Sequence, residues 1–262
     1  LNRSEVKDES SFTRTYLLPL GVALVFVALW GTLSALHVFP KSAFPSPLDV
    51  LYGFREEIRT GRLWNDLVAS LFRVSMGFVL AVVLSIPLGL WLGQYAAARA
   101  ALLPAVNFFR SLSPLAWIPF AILWFGVGDL PVVFLIFMAT FFSLVLAVIA
   151  AVANIPSVYF RVAADYGFHG WRLLWNVTLP AIMPQIITAL RVTAGVAWLV
   201  VVAAEMIAGR DGLGFAIWDA RNGLRTDLLV CGMIVIGIIG VLLDRLLVRL
   251  TRLPNVRWGY ER

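Results

Sequence analysis

Three charged residues, Arg73, Arg191 and Glu205, stand inside long apolar runs of this sequence. A charge in the hydrocarbon of a bilayer costs about 3 kcal/mol or more, so such residues pair with one another or face a water-filled path. Arginines along a path, joined by hydroxyls, suit an anion. The candidates for such a path are Arg110, Ser111, Ser113, Arg191, Glu205 and Arg73, with Arg191 and Arg110 expected to line it and Glu205 expected to pair with an arginine. Structural readings stand beside these. Arg73, about two turns into its run, can snorkel toward an interface, and Glu205 lies near the end of its run. Arg191 is open between lining the path and pairing structurally. A second pair, Arg161 and Asp165, is spaced i,i+4 in a polar island, Val152 to Pro184, between two apolar runs. That spacing places both charges on one helix face, where they serve either a solvated connector or contact with a soluble partner.

Other chemistries are absent. The two histidines, His37 and His169, lie outside the apolar runs, and neither an HExxH motif nor a nucleophile paired with a base is present. No GxxxxGK[ST] occurs, and the only lysines are Lys7 and Lys41, so no phosphate-binding P-loop can form. Cys231 is the single cysteine, which excludes an intrachain disulfide and a cysteine metal site and leaves a small packing residue.

The elements that position these residues are membrane helices. Of 262 residues, 61% are hydrophobic and 14% charged, against roughly 45–50% and 25% in soluble domains. The apolar runs are long and continuous, as helices crossing about 30 Å of hydrocarbon require, and lack the short alternating segments of a barrel. Span 1 covers about Tyr16 to Val38, with no cleavage signature, and is expected to be retained. After Pro40, Pro45 and Pro47, the near-helical spacing of Leu48, Leu51, Phe54, Ile58 and Leu63 predicts a short interfacial helix. Span 2 runs from about Asp66 to Tyr95 and carries Pro87 and Gly89-x-x-x-Gly93, a close-packing pattern. Pro104, Pro114 and Pro119 divide segment 3, Arg99 to Phe125, and predict a helix break at Arg110 to Ser113. Span 4 covers about Leu130 to Val152 and span 5 about Ala181 to Ala208. A polar segment, Gly209 to Asp227, precedes span 6, about Leu228 to Val248.

Six spans put both termini on one side. That side holds twelve of the Lys and Arg residues outside the spans and the other side seven, so the positive-inside rule predicts cytoplasmic termini and a cytoplasmic polar island. The charge of +6 and pI near 10.0 follow from this placement at span ends and call for no nucleic acid. Within the island, Pro156 and Ser157 predict a helix start and Gly167 a stop, followed by a second short helix that merges into span 5 near Pro180.

The island resembles the cytoplasmic coupling motif of ATP-binding-cassette importer permeases: E-A-A, three residues, Gly, nine residues, then I-x-L-P. Here Arg161-Val162-Ala163, Gly167 and Val177-Thr178-Leu179-Pro180 keep all the spacing, with Arg161 in place of the usual Glu and Val162 in place of Ala. Four further blocks, PSPLDVL, LVASLFRVSMGF, SPLAWIPFAILWFGVGD and AEMIAGRDGLGFAIWDAR, carry the likeness from about Pro45 onward toward permeases similar to those for nitrate, sulfonates, taurine and bicarbonate. The resemblance implies an all-α membrane protein with six transmembrane helices, the type I ABC importer permease fold and both termini cytoplasmic, in the inner membrane. Its divisions are a tail at 1–15, a permease domain at 16–250 with the coupling loop at 153–179, and a tail at 251–262. It implies a second permease copy as a homodimer, two ATPase subunits that bind ATP and Mg, and an external solute-binding protein, with no cofactor in this chain. The implied ATPase-coupling residues are Arg161, Val162, Ala163, Asp165, Gly167, His169, Arg172, Leu179 and Pro180. Trp218, Asp219, Arg221 and Arg225 are candidates for contact with the binding protein, set against a re-entrant packing loop. The competing function is an ATP-independent secondary transporter or channel for small anions. Such proteins often carry internal repeats, and none is evident.

Overall fold

The structure, a computed structural model, describes residues 18–36, 40 and 43–250. The expected tails at 1–15 and 251–262, both ends of span 1, His37 and Lys41 lie outside the described residues. Those described are almost all helical, and none forms a strand.

The helices are α1 (Leu18–Ala35), α2 (Pro47–Thr60), α3 (Arg62–Gln94), α4 (Ala96–Ser111), a 3-10 turn (Pro114–Trp117), α5 (Ile118–Phe125), α6 (Asp129–Ala153), α7 (Ser157–Asp165), α8 (Gly170–Leu173), a π-helical run (Leu174–Thr178), α9 (Leu179–Ala208), α10 (Leu213–Asn222) and α11 (Thr226–Leu250). Five stretches among the described residues are long and apolar enough to cross a membrane: Leu18–Ala35, Arg62–Gln94, Asp129–Ala153, Gly170–Ala208 and Thr226–Arg249. A bent pair, Ala96–Ser111 and Pro114–Phe125, whose halves differ in direction by 87°, makes the number six if it counts as one broken span. The break falls at Leu112 and Ser113, where Pro114 cannot continue the helix.

Two boundaries differ from the sequence expectation. Span 2 begins at Arg62 rather than Asp66, because Gly61, at φ 73°, caps α2 and turns the chain directly into α3. Span 5 begins well before Ala181, since helical backbone is continuous from Gly170 to Ala208. Pro180 has no N–H for an α-type bond to residue 176, and a single π-helical run precedes it instead of a break.

The chain divides into two compact units, one of Leu1–Arg62 with Ile217–Met233 and one of Leu63–Ala216 with Ile234–Arg262. In the first, Ser46 and Asp49 form a reciprocal capping box at the start of α2, with Pro47 at the first helical position. Gly53 of α2 packs against Cys231, whose thiol donates to the Val50 carbonyl at 3.1 Å. This is the small packing role expected of the cysteine.

In the second unit α3 packs on α6 through small residues. A Cβ added at Gly77, Gly89 or Gly93 would stand 2.8, 2.6 and 2.8 Å from Ile136, Val148 and Val152 respectively. The G-x-x-x-G spacing therefore does what close helix packing requires. On the facing side α6 buries Val132, Leu135, Ile136, Val145 and Val148, and it packs along most of α9.

Candidate functional site

The polar island folds into a fixed shape. Pro156 precedes α7, and a Schellman motif ends it: Gly167 adopts φ 73° and donates to the Ala164 carbonyl at 2.9 Å, while Phe168 donates to the Ala163 carbonyl at 2.8 Å. Ala163 is the buried residue of α7 and holds the helix against its surroundings. Arg161 and Asp165 are exposed, and neither enters an ion pair among the described residues. His169 and Arg172 are exposed too. So are large apolar groups that a connector would keep inside: Val162 and Tyr159 are about half exposed, and Tyr166 and Trp171 are 79% and 71% exposed. These apolar groups lie uncovered on an otherwise polar loop. A cleft of about 1050 Å³ lies beside it, bounded by Val158, Tyr159, Val162 and Tyr166 on one side and Asn176, Val177, Pro180 and Gln185 on the other. Leu179 and Pro180 open α9, so the loop passes straight into a helix.

At the other end of α9 two of the intramembrane charges, Arg73 and Glu205, meet. Arg73 (α3) is 1% exposed and Glu205 (α9) is fully buried. Arg73 Nη1 donates to Glu205 Oε1 at 2.9 Å and to the Asp211 carbonyl at 2.8 Å. Its Nε donates to Asp129 Oδ1 at 2.7 Å, and its Nη2 reaches Asp129 and Asp211. Ser70 donates to Glu205 at 2.8 Å. Three successive N–H groups at the start of α10 are also satisfied here: Gly212 donates to Asp66 Oδ1 at 2.9 Å, Leu213 to Ser70 Oγ at 2.9 Å, and Gly214 to Glu205 Oε2 at 3.0 Å. Acidic and hydroxyl acceptors at a helix N-terminus suit both the free N–H groups and the dipole. The glycines are required by space: Gly212 has φ +99°, a Cβ there would meet the Glu205 carboxylate at 2.5 Å, and one at Gly214 would strike the Val202 carbonyl. Arg73 thus does not snorkel; it is enclosed by carboxylates.

The other candidates are dispersed. Arg191 donates to Asp244 at 2.6 and 2.9 Å, and both side chains are about half exposed. Arg191 lies seventeen residues before Ala208 and Asp244 eighteen after Thr226, each about 25 Å along its helix at 1.5 Å per residue. The pair therefore sits far from the Arg73 cluster along the span. Arg110 is exposed on the last turn of α4 without an ion pair among the described residues, and Ser113 is exposed at the break. Ser111 donates to the Asn107 carbonyl at 2.8 Å. Of the candidates for contact with a binding protein, Asp219 pairs with Arg62 at 2.6 Å, and Arg225 pairs with Glu56 at 2.7 Å and with Asp227 at 2.9 Å. Arg225 holds the exposed Glu56 carboxyl below its usual range, by hydrogen bonding first and by charge second. Arg221 lies 5.2 Å over the Trp218 ring, a cation–π contact.

Sequence reasoning missed Asp66, Ser70, Asp129, Asp211 and Asp244. A signal for the first two exists, since Asp66, Ser70 and Arg73 recur at i, i+4 and i+7 on one face of an otherwise apolar helix.

The pattern shared by the family described as binding-protein-dependent transport system inner membrane component matches residues 85–255. The chain belongs to that family. The permease is 33% identical over 253 residues to the taurine transport system permease protein TauC of Escherichia coli, covering 93% of this chain and 90% of that protein. It is 33% identical to the bicarbonate transport system permease protein CmpB of Synechococcus elongatus, over 90% of this chain and 88% of the relative. With the putative aliphatic sulfonates transport permease protein SsuC of Bacillus subtilis it shares 30% identity, over 90% and 86%. Its fold is similar to that of the inward-facing MetNI methionine ABC transporter, with a TM-score of 0.67 at 18% identity, covering 75% of this chain and 97% of that one. The permease is accordingly a multi-pass inner-membrane component of an ABC importer, the non-catalytic membrane subunit.

Proposed function

We propose that two copies of this chain form the translocation path of an ATP-driven importer for a small anion. Both termini and the 153–179 loop are then cytoplasmic, as the Lys and Arg distribution favours. Two separate ATPase subunits bind ATP and Mg and dock against α7, and a solute-binding protein delivers substrate to the opposite face. The observation that carries this reading is the loop itself. Its shape is fixed by the Gly167 Schellman motif and its continuity with α9, while Arg161, Asp165, Val162, Tyr166 and Trp171 remain exposed. A segment so ordered and so uncovered is suited to contact with a rigid partner, and closure of two ATPases would move it as a lever. Arg161 stands where the family usually has Glu, so the ATPase surface that meets it is acidic.

The anion class is supported by the relatives, whose taurine, sulfonate and bicarbonate substrates each carry a sulfonate or carbonate group. Arg110, with Ser111 and Ser113 at the break, supplies cationic and hydroxyl groups for such a substrate. Asp244 already engages Arg191, which makes Arg191 the weaker path candidate of the two. Reconstitution tests this function: in proteoliposomes with the co-purified ATPase and the cognate binding protein, taurine, sulfonate or bicarbonate uptake should require ATP. Uptake by the chain alone, without ATP, would replace this reading with a secondary transporter or channel.

A further inference from the structure

The Arg73 cluster has a property beyond pairing charges in a membrane. It sits on the same continuous 39-residue helical stretch, Gly170–Ala208, which contains the π-helical run Leu174–Thr178 and whose other end leaves the coupling loop. That helix spans about 58 Å at 1.5 Å per residue. At its far end Glu205 accepts from the first turn of α10 through Gly214, and through Ser70 it is joined to Leu213. Asp66, Ser70 and Glu205 are 5%, 1% and 0% exposed, so water does not replace these bonds when they are stretched. Gly212 and Gly214 leave no space for a slip past Glu205, because a Cβ at either would already collide with α9. Separating the segment from α9 would strand a buried carboxylate, which is strongly unfavourable. The outer members of the cluster differ: the Asp129 and Asp211 side chains are 59% and 58% exposed. The inner bonds are closed off from water, and the rim carboxylates reach it.

We propose that Glu205, with Ser70 and Arg73, is a rigid coupler that makes the first turn of α10 follow the far end of α9 when the coupling loop moves. Glu205 is on this reading a positioning residue for transport and does not touch the substrate. The inference rests on the proposed ATP-driven function, since it needs a lever moved by a partner.

The test places a cysteine at exposed Arg210 (Arg210→Cys) in a Cys231→Ser background, in the assembled transporter. Labelling by a membrane-impermeant maleimide is timed with and without trapping by ATP and vanadate, and ATP hydrolysis is measured alongside. Trapping should change the labelling rate about 5-fold or more in the parent. In Glu205→Gln or Ser70→Ala that response should shrink to less than about 2-fold while trapping still occurs. An undiminished response in these variants overturns the coupler, as does a parent whose labelling ignores trapping. A variant that shifts only the substrate KM and keeps the labelling response overturns it in favour of a path role. If Glu205→Gln does not assemble, Ser70→Ala, which removes one hydroxyl and no charge, decides by the same criteria. Absence of any co-purifying ATPase would instead sink the importer function itself.

Discussion

The 153–179 loop and the Arg73 cluster are built from the same parts and use them in opposite ways. Each has an arginine and at least one carboxylate, together with a glycine at positive φ, Gly167 at +73° and Gly212 at +99°. In the loop Arg161 and Asp165 are exposed and unpaired among the described residues, and nothing stands within 4 Å of a Cβ added at Gly167. In the cluster the Arg73 side chain is 2% exposed and touches three carboxylates, and Gly212 lies against Glu205. Burial decides the difference. A charge that the fold leaves in water is available to another chain, whereas a buried one must be satisfied within its own.

Removing the two arginines should give the largest contrast. Arg73→Leu leaves Glu205 as a buried charge without its ion-pair partner, and about 3–5 kcal/mol should be lost, read as a lower unfolding temperature in detergent. Arg161→Leu should stay within about 0.5 kcal/mol of the parent. Equal losses would erase the distinction between the regions. The glycines sharpen it at smaller scale. Gly167→Ala should cost about 1–2 kcal/mol, the strain of a left-handed side chain alone, while Gly212→Ala adds a collision with Glu205 and should cost more in the same melt.

Arg161→Glu should leave the melting temperature unchanged and weaken ATPase coupling, on the proposal that the partner surface facing it is acidic. Hydrolysis better coupled to transport in that variant would count against an acidic partner. The smallest effect belongs to a pair between the two extremes, Glu56 with Arg225, which is exposed but engaged. Arg225 lowers the Glu56 pKa, so its contribution is present above the unfolded value of about 4.3 and is lost as pH falls through the lower folded value. The melting difference between the parent and Glu56→Gln should therefore be visible at neutral pH and shrink toward zero as pH falls through that lower folded value.

The spans, the break before Pro114 and the turn at Gly167 are legible in the sequence because each is written locally, in an apolar run, a proline or a glycine beside a helical period. Pairing across the fold is not. Arg73 and Glu205 are 132 residues apart, and Arg191 and Asp244 are 53 apart; one chain's pattern does not say which distant carboxylate faces which guanidinium. Span 5 hid its true start for a related reason. The short helix expected to merge into span 5 near Pro180 does so, and a π-helical run keeps the backbone helical through that junction, which moves the start of the span back to Gly170. Asp66, Ser70 and Arg73 are the instructive case, since their shared face is visible along the chain and their partners are not.

Hydrogen exchange with and without the ATPase subunits compares the two regions in one experiment. Binding should protect the amides of Ser157–Asp165 and leave those of Gly212, Leu213 and Gly214 slow in both states, because their acceptors are buried already. Exchange in Ser157–Asp165 that is unchanged by a bound ATPase would contradict the assignment of this loop as the coupling surface.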